Sequence, residues 1–295
     1  MNPKIIPSRP ASVLISMGAY VAAFFVAAAT IRIFRPEHPL LAIAVADLAA
    51  TVFVFLVSVS VNNSSIYDPY WSVKPVVIAG YYLFSVAPEG SARGWLVFCL
   101  ILLYAVRLTS NFYRDWPGLV KEDFRYVNFR KRFPGSYWAI SFLAIHLFPT
   151  IMVYLGCLPM YAVFTGAPSP LNLFDLAGAL VLVGAVTYAF TADEQLRRFR
   201  EDPANSGKTI STGLWGLSRH PNYLGEISTW WGLYLFALAV GLEWWWTGIG
   251  ALAITLLFMF ASIPMMEERM SATRADYSEY RKSVPSLLPK LISRR

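Results

Sequence analysis

The stretch LSRHPNYLGE, residues 217–226, holds a guanidinium, an imidazole, a carboxamide, a phenol and a carboxylate within ten residues. A guanidinium fork such as that of Arg219 matches the oxygens of a phosphate. Asn222 can bond an amide, and Tyr223 can stack on a ring. Glu226 lies about a turn inside the next apolar segment, where a carboxylate is costly unless it is paired or functional. Gly213, Gly216 and Pro221 forbid a regular helix through the whole of 211–226. The expected form is a loop feeding a helix, with donors converging from both. Just upstream, TADEQLRRFRED (191–202) puts Asp193, Arg197 and Arg200 at i, i+4 and i+7, hence on one helical face. Downstream, in 267–289, Glu267 and Glu268 precede a cluster of Tyr277, Tyr280 and Arg281; the same segment also reads as an amphipathic tail lying on a membrane.

The elements that must position these groups are hydrophobic. Of 295 residues, 56% are hydrophobic and only 15% charged, the profile of a polytopic membrane protein. The Trp, Tyr and Phe content suits interfacial belts. Apolar runs near 11–31, 39–61, 68–86, 94–112, 137–163, 173–192, 227–242 and 247–264 predict an all-α transmembrane bundle of about 7–8 spans. The third run carries Pro75 and Gly80, and the last two are short. The first run is long enough to stay as a span, with no small-residue cleavage site after it. Residues 114–132 carry six Lys or Arg, 197–220 carry five and 267–295 carry seven. These segments alternate so as to share one face, which the positive-inside rule makes cytoplasmic, with both termini there. Arg32 and Arg35 then fall on the far side and must snorkel.

The net charge of +7 therefore follows from topology and anionic lipid, and nucleic acid is not an expected partner. Cys99 and Cys157 lie in apolar runs and read as packing residues. With no CxxC and three widely spaced histidines, no metal site is expected. No cytoplasmic segment is long enough for its own core, so chemistry belongs in the bundle or at its cytoplasmic mouth. A bacterial inner membrane or an endoplasmic reticulum would suit.

The pattern GLW…SRHPNYLGE, then an apolar hairpin and the tail DYSEYRKSVPSLLP, resembles the C-terminal domain of the steroid 5α-reductases. That domain is shared more loosely with sterol reductases and isoprenylcysteine carboxyl methyltransferases. The resemblance is good over roughly 190 to 290 and weak over 66 to 112. It implies N-terminal membrane helices over 1–65 and a reductase-like membrane domain over 66–295, whose cofactor-binding part is about 190–290. It also implies NADPH as cofactor, held in a pocket at the cytoplasmic end of the bundle. Asp193, Arg197 and Arg200 would face its polar parts. Asn222, Tyr223 and Glu226 would line the nicotinamide end, with Arg219, His220 and Tyr277 completing the binding set. Where that family carries basic and aromatic residues after the last span, this chain has Met265, Met266, Glu267, Glu268 and Arg269.

The same resemblance points to NNSSIYDPYWSVKP (62–75) and LLYAVRLTSNFYRDW (102–116) as the substrate half. It makes Asp68 and Tyr104 the catalytic pair and places Tyr67, Trp71 and Arg107 against substrate. Hydride addition to an enone puts negative charge on the ketone oxygen, and a hydroxyl backed by a carboxyl group is a suitable donor there. Asp68 followed by Pro69 also reads as an N-cap and first-turn pair opening a helix, and Arg107 as a snorkelling side chain. The family usually has Glu after Gln where this chain has Asp68 after Tyr67.

The implied activity is reduction of a C=C bond conjugated to a ketone, in the manner of a 3-oxo-5α-steroid 4-dehydrogenase. A 3-oxo-4-ene steroid or related lipid enone would enter from the lipid. An S-adenosylmethionine-dependent methyltransferase is the alternative enzyme, and a lipid-binding scaffold the non-enzymatic one.

Overall fold

The computed structural model describes residues 7–87 and 90–290. Among these, every regular element is helical. We number the helices α1 (Arg9–Phe34), α2 (Pro39–Ser60), α3 (Tyr70–Ser85), α4 (Ala92–Asp115), α5 (Phe124–Arg132), α6 (Tyr137–Thr165), α7 (Leu173–Glu201), α8 (Pro221–Val240), α9 (Leu242–Thr273) and α10 (Tyr277–Ser283). Helix α6 widens into a π turn over Ser141–Leu147. Helix α9 opens as a 3₁₀ turn, Leu242–Gly248, and carries a second π turn at Phe258–Ser262.

Six of these helices, α1, α2, α4, α6, α7 and α9, are long and apolar enough to cross a bilayer. The chain is a multi-pass membrane protein. All eight expected apolar runs are helical, but two miss that standard. Helix α3 has 16 residues, about 24 Å at 1.5 Å per residue, against a hydrocarbon core of about 30 Å. Helix α8 has 20 residues, and its first turns are diluted by Asn222 and Glu226.

The helix starts follow from local chemistry. Ser8 and Asn172 cap α1 and α7 with their side chains, and Asn172 and Asp175 form a reciprocal capping box. Pro39 and Pro221 stand in the first turns of α2 and α8, where a missing N–H costs nothing. The Asp68–Pro69 pair does not cap α3. A 3₁₀ turn, Ser64–Tyr67, runs straight into the helix, so Asp68 already has helical backbone angles, φ −54° and ψ −44°. Its carboxylate goes to another partner.

The chain divides into two compact units. The first comprises Met1–Gly90 and Ala105–Cys157. Its core joins Tyr20, Ala23, Ala50, Val54, Ile66, Tyr67 and Tyr70. The loop at 62–69 is laced to the loop at 116–123. Asn63 Nδ2 donates to the carbonyls of Leu119 and Lys121, the Ser64 amide donates to Glu122 Oε1 at 2.7 Å, and the Asp123 amide donates to Ser65 Oγ at 2.8 Å.

The second unit comprises Ser91–Tyr104 and Leu158–Arg295. Its spine is the pair α7 and α8, packed along small residues. A β-carbon on Gly225 would sit 2.6 Å from Ala189 Cβ and 2.7 Å from the Ala185 carbonyl. One on Gly178 would sit 2.9 Å from the Gly232 carbonyl. Such close approach gains dispersion contacts that larger side chains would prevent. Both ends of the pair are pinned. Asn172 Nδ2 donates to the Ala239 carbonyl at 2.8 Å at one end, and Asn222 Nδ2 donates to Asp193 Oδ1 at 3.2 Å at the other. Near the first pin, Arg93 of α4 grips Asp175 through two nitrogens, at 2.7 and 2.9 Å, and reaches Ser169 Oγ and the Pro170 carbonyl.

Candidate functional site

The residues expected to hold a cofactor all fall in the second unit, and Tyr104 falls with them. Asp193, Arg197 and Arg200 lie on the last turns of α7. The chain then makes a 3₁₀ turn over Gly213–Gly216 and enters α8 at Pro221. Gly213 has φ +59°, and a β-carbon there would strike the Gln195 carboxamide at 2.6 Å. Glycine at this corner lets Gln195 Oε1 accept from the Leu214 amide at 2.9 Å, and Trp215 Nε1 donate to the Ala192 carbonyl at 2.9 Å. The loop is thus fastened to α7 before α8 begins.

The polar groups around this loop are well engaged. Asn222 and Asp193 meet across α8 and α7, and Tyr223 stacks on His220 with ring centroids 5.3 Å apart and planes 15° apart. Arg197 pairs with Glu194 at 2.6 Å, while Arg200 is exposed. Arg219 is held by Glu267, with its Nη2 at 2.7 Å and its Nε at 2.9 Å from Oε1. His220 Nε2 lies 3.2 Å from the same oxygen. Burial lowers the His220 pKa, with Glu267 pulling the other way. Tyr277 is buried beside Tyr280 and Val284. A phosphate at Arg219 would compete with Glu267.

Deeper in the unit, the Tyr104 hydroxyl donates to Glu226 Oε2 at 3.0 Å. Both are buried, at 1% and 7% exposure. Trp230, one turn beyond Glu226 on α8, meets the Tyr104 ring edge-on at 6.0 Å. A neutral hydroxyl beside a buried carboxyl, walled by an aromatic ring, can present a proton donor to a ligand oxygen or pass a proton along the pair.

Asp68, Tyr67, Trp71 and Arg107 belong to the first unit. Asp68 accepts a hydrogen bond from Tyr126 of α5, and Arg125 Nη2 lies 3.6 Å away. Burial pushes the Asp68 pKa up to about 7; Arg125 opposes this and Asp123 adds to it. The Tyr67 hydroxyl meets Thr150 Oγ1 at 2.6 Å. Trp71 is half-buried on α3 and Arg107 is buried on α4. Asp68 and Tyr104 therefore each have a partner within their own unit, Tyr126 for one and Glu226 for the other.

Three relationships escaped the sequence reading. The Tyr104–Glu226 pair spans 122 positions, and nothing local signals it. Glu267 stood out in sequence as an acid after the last apolar run and as a departure from a family pattern, but its partner did not: it anchors Arg219. The third is a buried ion pair in the first unit, Asp47 with Lys74. There the Lys74 ammonium also donates to the Thr150 carbonyl at 2.5 Å, and the Tyr70 hydroxyl donates to Asp47 Oδ1 at 3.1 Å. A lone acid in one apolar run and a lone base in the next was the available signal, since such charges persist in membranes when they find each other.

Comparison with known proteins adds the family. Residues 54–284 match the model of a family described as a protein of unknown function, DUF1295. A relative from Schizosaccharomyces pombe (strain 972 / ATCC 24843), "Uncharacterized protein C594.04c", is 28% identical over 260 residues. That alignment covers 80% of this chain and 75% of the relative. No solved structure matches. The matched region takes in Asp68, Tyr104, both ends of the α7–α8 pair and the loop between them, and the chain belongs to the DUF1295 family.

Proposed function

We propose that this protein is a membrane-embedded reductase that uses NADPH to saturate a C=C bond conjugated to a ketone, with a 3-oxo-4-ene steroid or related lipid enone as substrate. The observation that carries the reading is the buried Tyr104–Glu226 pair, in the same unit as the polar mouth at 191–226. The resemblance of SRHPNYLGE and the tail to steroid 5α-reductases supports it from the sequence side.

The residues at the mouth suit a dinucleotide. The Asp193–Asn222 pair offers a carboxylate and a carboxamide to ribose hydroxyls and to an amide. Tyr223, already stacked on His220, offers a ring face. Arg200 stands exposed at the rim, where phosphates would lie. When bound, the cofactor supplies a hydride to the β-carbon of the enone. The ketone oxygen then gathers negative charge until the α-carbon takes a proton from solvent. Tyr104 is the group to meet that charge: its hydroxyl would give up Glu226 as acceptor and donate to the ketone oxygen instead. Glu226 acts through Tyr104: in its protonated form it can donate to the phenol oxygen while the Tyr104 proton goes to the ketone.

The test is calorimetry of the detergent-solubilised protein with NADPH and with S-adenosylmethionine, followed by loss of NADPH absorbance on adding a 3-oxo-4-ene steroid. Dinucleotide binding and a saturated ketone product are expected. Binding of the methyl donor without the dinucleotide would make the protein a methyltransferase.

A further inference from the structure

The C-terminal tail lies along the loop that precedes α8, and the acceptors that join them are main-chain carbonyls. The Arg219 amide donates to the Pro285 carbonyl at 2.9 Å, the His220 amide to the Ser286 carbonyl at 3.1 Å, and the Lys290 amide to the Leu217 carbonyl at 3.0 Å. Ser218 Oγ donates to the Leu287 carbonyl at 2.8 Å, and the Tyr280 hydroxyl donates to the Trp215 carbonyl at 2.6 Å. Farther back, Asp276 accepts from the Thr209 amide at 2.8 Å and the Thr209 hydroxyl at 2.6 Å.

Arg219 is the rivet of this strap. Its Nη1 donates to the carbonyls of Arg281 and Val284, at 3.0 and 2.5 Å, while Nε and Nη2 hold Glu267 on α9. One guanidinium thereby joins α9, the tail and the loop. Its reach is spent on protein groups, and Lys could not span three such acceptors, because its ammonium lacks the planar fork. His220 and Tyr223, the stacked rings at the mouth, follow directly in the chain.

We infer that Arg219 and Glu267 are positioning residues, not ligands, and that the strapped tail sets where His220, Asn222 and Tyr223 stand when a cofactor binds. The inference rests on reading 191–226 as a dinucleotide site. It makes the tail a required part of that site although no tail atom need touch the cofactor's reacting ring. It also accounts for the acidic Glu267 in a stretch where the resembling family is basic: the carboxylate is the counter-ion that holds Arg219 in place.

The experiment compares the full-length parent with Arg219→Lys, Arg219→Met and Glu267→Gln by hydrogen–deuterium exchange and by NADPH titration. Loss of one charge-assisted bond corresponds to roughly ten- to a hundred-fold. Exchange at the Arg219, His220 and Lys290 amides should quicken by about that factor in Arg219→Met and Glu267→Gln, and less in Arg219→Lys. The KM for NADPH should rise in parallel, with kcat at saturating NADPH retained, a split that general loss of folding does not give. Weakened NADPH binding with unchanged exchange would make Arg219 a direct phosphate ligand and overturn the inference. So would unchanged exchange alone. If the parent binds no NADPH yet the amides exchange faster in the variants, the strap stands and the reductase reading falls.

Discussion

The hydroxyl of Tyr104 on α4 donates to Glu226 on α8 at 3.0 Å, and the two residues stand 122 positions apart in the chain. If Tyr104 is the donor to the ketone oxygen, Tyr104→Phe removes a bond that is strongest as charge develops. Turnover should fall by about 10²–10³-fold, as on loss of one oxyanion donor, while NADPH affinity stays close to the parent's. Glu226→Gln leaves the hydroxyl an acceptor but removes the carboxylate, and should reduce kcat while retaining folding. Parent-like turnover of a 3-oxo-4-ene steroid by both variants would remove this pair from the chemistry.

Asn222→Ala and Arg200→Ala address the mouth. Each should weaken NADPH binding by roughly ten- to a hundred-fold, the equivalent of about 1.5–3 kcal/mol; Arg200→Ala should leave thermal stability nearly unchanged, while Asn222→Ala also loses the bond to Asp193 and should lower it by about 1 kcal/mol. Calorimetry on detergent-solubilised protein reads both. Variants with unchanged affinity would return the two side chains to ordinary helix-end roles.

Asp68 gives a prediction in pH. Its folded pKa is raised to about 7 by burial, against about 3.9 in an unfolded chain. The fold therefore prefers the neutral acid. That contribution to stability is fully present below about pH 4 and is lost as pH rises through 7. Asp68→Asn cannot ionise, so thermal unfolding of the variant should lack the parent's decline over that window. Parallel pH profiles for the two proteins would show that Asp68 is ionised throughout. In an activity assay the same variant separates roles: if Asp68 contacts substrate, Asp68→Asn binds NADPH but is nearly inactive.

The α7–α8 seam predicts opposite outcomes for two glycine replacements. At Gly225 a β-carbon meets Ala189 and the Ala185 carbonyl below 3 Å, so Gly225→Ala should cost about 1–3 kcal/mol. At Gly184, on α7, a β-carbon meets nothing within 4 Å. Gly184→Ala should be neutral or gain up to about 1 kcal/mol from helix propensity. Thermal unfolding in one detergent compares them, and equal effects would refute the close packing.

What the sequence revealed follows the range of the forces involved. Helices were legible because hydrophobic runs are local, whereas the Asn172–Asp175 box that opens α7 and the start of α8 at Pro221, ahead of the run at 227–242, came from the structure. The interrupted stretch around Gly213 and Gly216 was legible for the same reason. Span number was less so, because α3 and α8 mix apolar and polar residues near the limit of length and hydropathy. The Asp68–Pro69 cap was misread, because the 3₁₀ turn before it supplies helical geometry where a cap needs an extended residue. Pairings were the least legible. Asp68 with Tyr126, Tyr104 with Glu226, Arg219 with Glu267 and Asp47 with Lys74 all join distant segments, and residue type alone names no partner.

The seam between α7 and α8 also bears on how this chain can change. With a carbonyl or β-carbon facing each close glycine, neither helix can rotate or slide by a residue without a collision. Asp193 and Asn222 are thereby kept opposite one another whatever happens at the rim. Selection is left free to rewrite the side chains at the two ends, one substitution at a time, without first having to re-register the helices that carry them. The same geometry closes the other route: new chemistry cannot be reached by shifting one helix against its neighbour, because intermediates on that path do not pack.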